Sequence, residues 1–454
     1  HNVAVGDLSL EVSYEHAGGT KRARGSFGRS RAGVSLPTAD LPVGPAQVKA
    51  QVVGPDGTVH VSRQWPVRKL SLAEARKLSV YIDHSNNAIV DGKPFFPLGW
   101  YGNGSETQAA EIANSPFNCI LDYGTNNKPR EKMLRYLDFL HSKGLKLIYC
   151  LNDVYPTAHY HEGKTWEGIS GNQAIADAVV SAYREHPAIL AWYLNDELPR
   201  SLVPQLEGYY ERTAELDPNH PCYIVLCNMG ELGYFTDTTD VMGVDPYPIP
   251  RTPVTMVSDW MEVANRATAG RMPTWLVPQS FAWYQHHPPG SDRARIPSEE
   301  DLRTGRAPTY EESRCMTYLA LAHGAKGLVY WCYYNMRVLP QYAEMWAGMK
   351  RIGAEVEQLS PLLLSAEPAG PVQCEPSSAP IHTRLLRLQG REVLIAVNAG
   401  KEPVEASLKT RRTLPPQVDV LFEGQKAKTD GECIPASFAP LQVHVYELGS
   451  TQAR

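Results

Sequence analysis

Along the first 78 residues, apolar and polar positions alternate over short runs. Leu8-Ser9-Leu10-Glu11-Val12-Ser13 puts every second side chain on one face, as a half-buried strand does. Gln47 to Val53 repeats the pattern, Gly54-Pro55-Asp56-Gly57 is a turn signal, and Val59 to Trp65 alternates again. The last two runs predict a β-hairpin. The segment reads as a small N-terminal β-sandwich-like domain over 1–78.

From about residue 95 the period changes. Short apolar runs are separated by helical stretches, which is the pattern of βαβ units and a parallel sheet. Eight runs are present: Phe95 to Trp100, Asn118 to Tyr123, Lys146 to Asn152, Ile189 to Asp196, Cys222 to Asn228, Val241 to Asp245, Thr274 to Ser280 and Gly327 to Tyr333. Pro129 to Lys143 and Tyr310 to His323 read as helices between them, the second opened by a Thr309/Glu312 capping box. Eight such units predict an α/β fold with a (β/α)8 TIM barrel over 79–360. A doubly wound open sheet is the rival, but the chain has neither a G-x-G-x-x-G nor a P-loop sequence. Strand-like runs return at Thr383 to Leu388, Glu392 to Asn398 and Val443 to Leu448, which predicts a C-terminal β-sandwich over 361–454.

Composition narrows the function. A formal net charge of -5 without any Lys/Arg-rich run argues against nucleic acid and anionic membrane as partners. No apolar stretch approaches the roughly 20 residues of a membrane helix. The eight cysteines include no C-x-x-C pair, and no Cys/His cluster has zinc spacing, so neither a metal nor another cofactor is expected. Cys119, Cys150, Cys222, Cys227 and Cys332 lie in strand-like apolar runs, where a thiol acts as a small hydrophobe. The chain starts at His1 rather than Met, which fits removal of a signal peptide and leans toward a secreted or periplasmic location. Oligomeric state is not legible.

In a barrel of this kind, chemistry gathers at the carboxyl ends of the strands. Those ends carry Trp100, Tyr101, Asp122, Tyr123, Asn152, Asn195, Asp196, Glu197, Asn228, Asp245, Tyr247, Gln279, Trp283, Trp331 and Tyr333. Carboxylates and amides hydrogen-bond sugar hydroxyls, while aromatic faces stack on sugar rings, so a carbohydrate is the expected partner. Trp100, Trp283 and Trp331 are the expected stacking platforms. The sharpest signal is Ala191-Trp192-Tyr193-Leu194-Asn195-Asp196-Glu197, an apolar strand that delivers two adjacent carboxylates. Apolar walls and a like-charged neighbour both favour the protonated form that a general acid needs.

Here the chain resembles clan A of the glycoside hydrolases, over roughly residues 90–340. The likeness rests on the fourth-strand stretch, on Asp91-Gly92-Lys93-Pro94-Phe95-Phe96, on Gly243-Val244-Asp245-Pro246-Tyr247-Pro248, and on Gly324 to Trp331. The resemblance implies that Glu197 is the acid/base of a glycosidase. Asp196 replaces the asparagine usual before it, and Gln279 stands where the clan's seventh-strand nucleophile would be. An amide cannot form a covalent glycosyl intermediate. Three explanations are open: a Glu-to-Gln substitution in this chain, a second carboxylate elsewhere (Asp245, Glu299 or Glu300), or substrate-assisted catalysis. In the last, Asp196 and Glu197 act as the acidic pair of an N-acetylhexosaminidase-type enzyme does. A non-catalytic carbohydrate-binding barrel is the alternative from another class.

Overall fold

The computed structural model describes residues 4–28, 32–155, 165–286 and 292–450. The chain divides into two compact units, His1–Leu78 and Ser79–Arg454. In the first, Ser9–His16, Gly19–Ser26, Gly44–Val53 and Val59–Lys69 form one antiparallel sheet in the order second, first, third, fourth. The predicted hairpin is there, with Gly57 at φ 82° in its turn, a conformation glycine adopts without steric cost. The strand Gly19–Ser26 escapes the alternation rule because its sequence, GTKRARGS, has almost no apolar face.

In the second unit, eight parallel strands close into a barrel in sequence order. They are Leu98–Gly102, Cys119–Asp122, Lys146–Cys150, Ile189–Asp196, Cys222–Leu226, Val241–Val244, Thr274–Leu276 and Gly327–Tyr330, called first to eighth below. The first begins three residues later than its apolar run predicts. Lys93–Phe95 pairs instead with Ala88–Val90, in a small antiparallel sheet that also holds Val80–Ile82.

Side chains along each barrel strand alternate between two cores. Tyr101, Leu121, Cys150, Tyr193, Val225, Trp275 and Val329 fill the barrel interior. Trp100, Ile120, Tyr149, Trp192, Ile224, Leu276 and Leu328 face outward, into the layer shared with the helices. This parity decides which strand-end residues can meet a ligand.

The helix Tyr310–Ala322 starts with the predicted capping box: Thr309 Oγ1 accepts from the Glu312 N–H at 3.2 Å, and Glu312 accepts from the Thr309 N–H at 2.8 Å. Strands after residue 372 form sheets of three and five strands around a shared core that includes Leu394, Leu408, Ile434, Phe438 and Tyr446. This sandwich is tied to the barrel helices through Arg314. Its guanidinium donates to the Val443 carbonyl at 2.9 Å and pairs with Glu355 at 2.9 Å. Among the described residues no helix is long and apolar enough to cross a membrane.

Candidate active site

The fourth strand carries polar residues into the mouth through an irregularity. Its register against the fifth strand shifts between Tyr193 and Asn195. Without that shift Asp196 would share the outward parity of Trp192 and Leu194; with it, Asp196 turns in beside Tyr193. The Tyr193 hydroxyl donates to Asp196 Oδ1 at 2.7 Å, and the Tyr123 hydroxyl donates to Oδ2 at 2.8 Å. Both oxygens of this carboxyl are therefore held. Glu197 follows at φ 55°, a left-handed conformation that costs a non-glycine residue on the order of 1 kcal/mol. Two bonds enforce it: the Glu197 N–H donates to the Val225 carbonyl at 2.9 Å, and Asn195 Oδ1 accepts from the Leu198 N–H at 2.9 Å.

Asp245 comes from the end of the sixth strand. It is buried and shares a hydrogen bond with the Glu197 carboxyl. Burial, that hydrogen bond and the neighbouring charges of Glu197 and Asp196 push its pKa well above the usual carboxylate range. Burial also raises Asp196, against the two phenol hydrogen bonds that lower it. Glu197 itself is exposed. Burial and these neighbours thus favour the protonated form on Asp245. Asp245 Oδ1 is buried without a protein hydrogen-bond partner. Cys227 adds a thiol in hydrogen-bond contact with Glu197, its pKa pushed up to about 12 mainly by burial. It was expected inside a strand, but it lies just past the fifth one and is exposed.

These three carboxyl groups line a cavity of about 330 Å³. Tyr101, Tyr123 and Trp331 make one aromatic wall, with Trp331 packed 5.0 Å from Tyr101 and 5.5 Å from Tyr123, edge to face. Tyr247, Phe281 and Trp283 make another, with His286 and Val225 completing the surface. Phe281, His286 and Val225 were not anticipated. Val225 is inward by strand parity alone; Phe281 and His286 sit in loop sequence without a periodic signal. If Trp283 and Trp331 are the platforms for sugar rings, alanine at either should weaken glycan binding by on the order of 1 kcal/mol beyond lost burial, measured by calorimetric titration. Unaltered affinity in the double variant would remove them from that role.

Seven of the expected site residues lie off the cavity wall. Trp100 has outward parity and packs against Phe117, Tyr330, Tyr333 and Trp346, so it is a core residue rather than a platform. Asp122 also points outward and accepts from the Tyr136 hydroxyl. Tyr333 sits in the short helix Tyr333–Arg337 and bonds the Tyr342 hydroxyl at 2.8 Å. Asn195 is consumed by the turn described above, Asn152 is buried away from the mouth, and Asn228 is exposed in the turn after the fifth strand. Trp192, from the same fourth-strand stretch, has outward parity and donates its indole N–H to Asp217 at 2.8 Å.

Gln279 is the seventh, and its geometry accounts for the amide. It is 1% exposed. Its Oε1 accepts from the Ile249 N–H at 2.8 Å, while Nε2 donates to the Ile249 carbonyl at 2.7 Å and the Phe281 carbonyl at 3.2 Å. Only an amide offers an acceptor and two donors in this arrangement. Gln279 therefore ties the loop after the sixth strand to the loop after the seventh and does not reach the cavity.

The raised carboxyl of Asp245 has a consequence for stability. A carboxyl whose pKa rises on folding holds its proton more tightly in the native state, so its contribution declines as pH climbs from the ordinary carboxylate range to the folded value. Asp245→Asn should accordingly raise the unfolding temperature at pH 7 and raise it less at pH 4, as read by calorimetry. A larger gain at pH 4 would contradict the direction of the shift.

Among the described residues no group of three or more His, Cys, Asp or Glu is arranged to hold a metal ion. No family model matches the chain, and no curated protein does. Solved structures do. One described as a glycoside hydrolase is 14% identical, with 83% of this chain and 98% of that one covered and a TM-score of 0.55. An α-amylase from Geobacillus thermoleovorans, complexed with acarbose, is 11% identical, with 79% and 98% covered and a TM-score of 0.51. A Lactobacillus rhamnosus β-glucuronidase is 14% identical over 72% of this chain at a TM-score of 0.39, and the chain spans 57% of that protein's length. What this chain shares with the first two is a fold, and that fold is the closed eight-stranded barrel found in glycoside hydrolases.

Proposed function

We propose that this chain is a glycoside hydrolase in which Glu197 donates a proton to the departing glycosidic oxygen. One observation carries the reading: the ends of the fourth and sixth strands bring Asp196, Glu197 and Asp245 into one cavity walled by aromatic rings. A leaving alkoxide needs a proton, and a protonated carboxyl on the wall of such a cavity supplies it. Asp245 is the buried carboxyl whose raised pKa keeps a proton within reach of the cavity. Asp196, held by two phenols, is a fixed acceptor rather than a mobile acid. Tyr101, Tyr123, Tyr247, Trp283 and Trp331 supply the surfaces against which the C–H faces of a sugar pack.

A second, finer reading is favoured by two features. Gln279 is occupied by backbone groups, so the seventh strand provides no nucleophile. Asp196 stands directly beside Glu197 in the same cavity, the adjacent acidic pair that substrate assistance uses. In this reading the substrate's own N-acetyl group attacks that carbon, with Asp196 orienting the acetamido group and Glu197 acting as the acid.

A panel of aryl glycosides, each offered with and without a 2-acetamido group, tests both. Turnover confined to the acetamido members supports substrate assistance. Turnover without the acetamido group discards it and leaves the glycosidase reading standing. Sugar binding without turnover of any member makes the chain a carbohydrate-binding barrel.

A further inference from the structure

We propose that the loops after the sixth to eighth strands form a subsite for an anionic group, a carboxylate or a sulfate, on a sugar adjacent to the one held over Glu197. The proposal rests on the cavity being a sugar site. It starts from two arginines. The Arg251 guanidinium lies 4.1 Å from the ring centroid of Trp283, which lines the cavity. Its one hydrogen bond among the described residues is a long one, from Nε to the Thr304 carbonyl at 3.4 Å. Burial alone lowers its pKa, and no carboxylate stands near enough to act in the other direction. Arg293 lies 5.4 Å from the Tyr334 ring and donates to Asn335 Oδ1 at 3.1 Å. Asn335 in turn bonds His286, another wall residue, at 2.8 Å through its Nδ2.

Neighbouring arginines provide the contrast. Between the seventh strand and the helix Tyr310–Ala322 there are four: Arg293, Arg295, Arg303 and Arg306. The last three are engaged by Asp301, Glu300 and Glu312, at 2.6 Å in each case. Among the described residues no carboxylate pairs with Arg293 or with Arg251. Arg251, stacked on the wall residue Trp283, and Arg293, linked to the wall residue His286 through Asn335, are thus the two left without an acid among the described residues. A guanidinium stacked on a ring is oriented by its face and keeps its N–H edge for a planar or tetrahedral oxyanion, which it binds through two parallel hydrogen bonds. An anionic glycan would otherwise be repelled by Asp196, Glu197 and Asp245. A pair of cations on the sixth- to eighth-strand side of the mouth offsets that repulsion at the next sugar along.

The test uses the full chain carrying Glu197→Gln, so that ligands stay intact, and calorimetric titration of matched oligosaccharide pairs. Oligouronates are paired with their methyl esters, and sulfated oligosaccharides with their desulfated forms. We expect the charged member of at least one pair to bind about tenfold tighter, and the two kinds of pair identify which anion is read. The preference should shrink as salt rises, since the sites are exposed. Arg251→Ala and Arg293→Ala should each reduce the charged-over-neutral ratio several-fold, with Arg251→Lys intermediate because an ammonium lacks the paired N–H edge. If neutral members bind as tightly as charged ones in every pair that binds, the anion subsite is wrong and the sugar site stands. A preference that survives both alanine variants places the anion elsewhere and overturns the assignment. Binding of no pair at all removes the sugar site, and the subsite with it.

Discussion

Glu197→Gln is expected to lower turnover on a natural glycosidic linkage by about 10²–10⁴-fold while leaving the fold and sugar binding nearly intact. The side chain is exposed and its backbone is fixed by the Val225 carbonyl and the Asn195 amide, so an isosteric amide introduces no packing defect. What it removes is the proton. Asp245 is buried with a raised pKa, and once Glu197 is an amide no exposed carboxyl of the cavity can deliver a proton to a leaving oxygen. Substrates with acidic leaving groups need less protonation and should lose less. In the wild type, activity should fall on the alkaline side as the buried Asp245 carboxyl loses its proton, and steady-state kinetics across pH follow this directly. Equal loss on aryl and natural substrates would assign Glu197 to binding.

The second large effect concerns Gln279. Gln279→Glu, the change that would restore a carboxylate at the end of the seventh strand, is expected to destabilise the protein rather than activate it. Both donors of the amide are used, on the Ile249 and Phe281 carbonyls. A carboxylate donates to neither and leaves two buried carbonyls facing a negative charge, at about 1–3 kcal/mol for each unsatisfied group. Protonation of the new side chain returns one donor. Its pKa therefore rises on folding, and the loss should be smaller at pH 4 than at pH 7. Denaturant unfolding at the two pH values reads this; a variant as stable as the parent with raised turnover would make Gln279 a failed nucleophile instead of a clamp.

The barrel was largely legible because a fully buried parallel strand is a short apolar run between helices, and that pattern survives in the bare sequence. The fourth strand spans Ile189–Asp196 as its run predicts, and the Thr309/Glu312 box marks its helix start to the residue. Sites were harder to read, since lying at a strand end is not the same as facing the mouth. Trp100 and Tyr101 are neighbours in sequence and face opposite cores, as do Asp122 and Leu121. Parity would have separated these, given strand bounds good to one residue. It would also have misplaced Asp196, whose inward turn depends on a register shift that no local signal announces. Gln279 looked like a lost nucleophile because its three partners come from Ile249 and Phe281, contacts set by how two loops fold over the mouth. Cys227 was read as strand interior because its apolar run continues one residue past the last strand position, Leu226.

The central claim is that this cavity breaks glycosidic bonds and does not merely hold sugars. Time-resolved NMR of the wild-type protein with unmodified oligosaccharides tests it most directly, because a new reducing end has its own anomeric proton signal. Such signals are expected to grow with at least one oligosaccharide and to be suppressed by about 10²-fold or more in Glu197→Gln. Oligosaccharides that bind in the cavity yet stay intact, or signals that grow at the same rate in the variant, would contradict it.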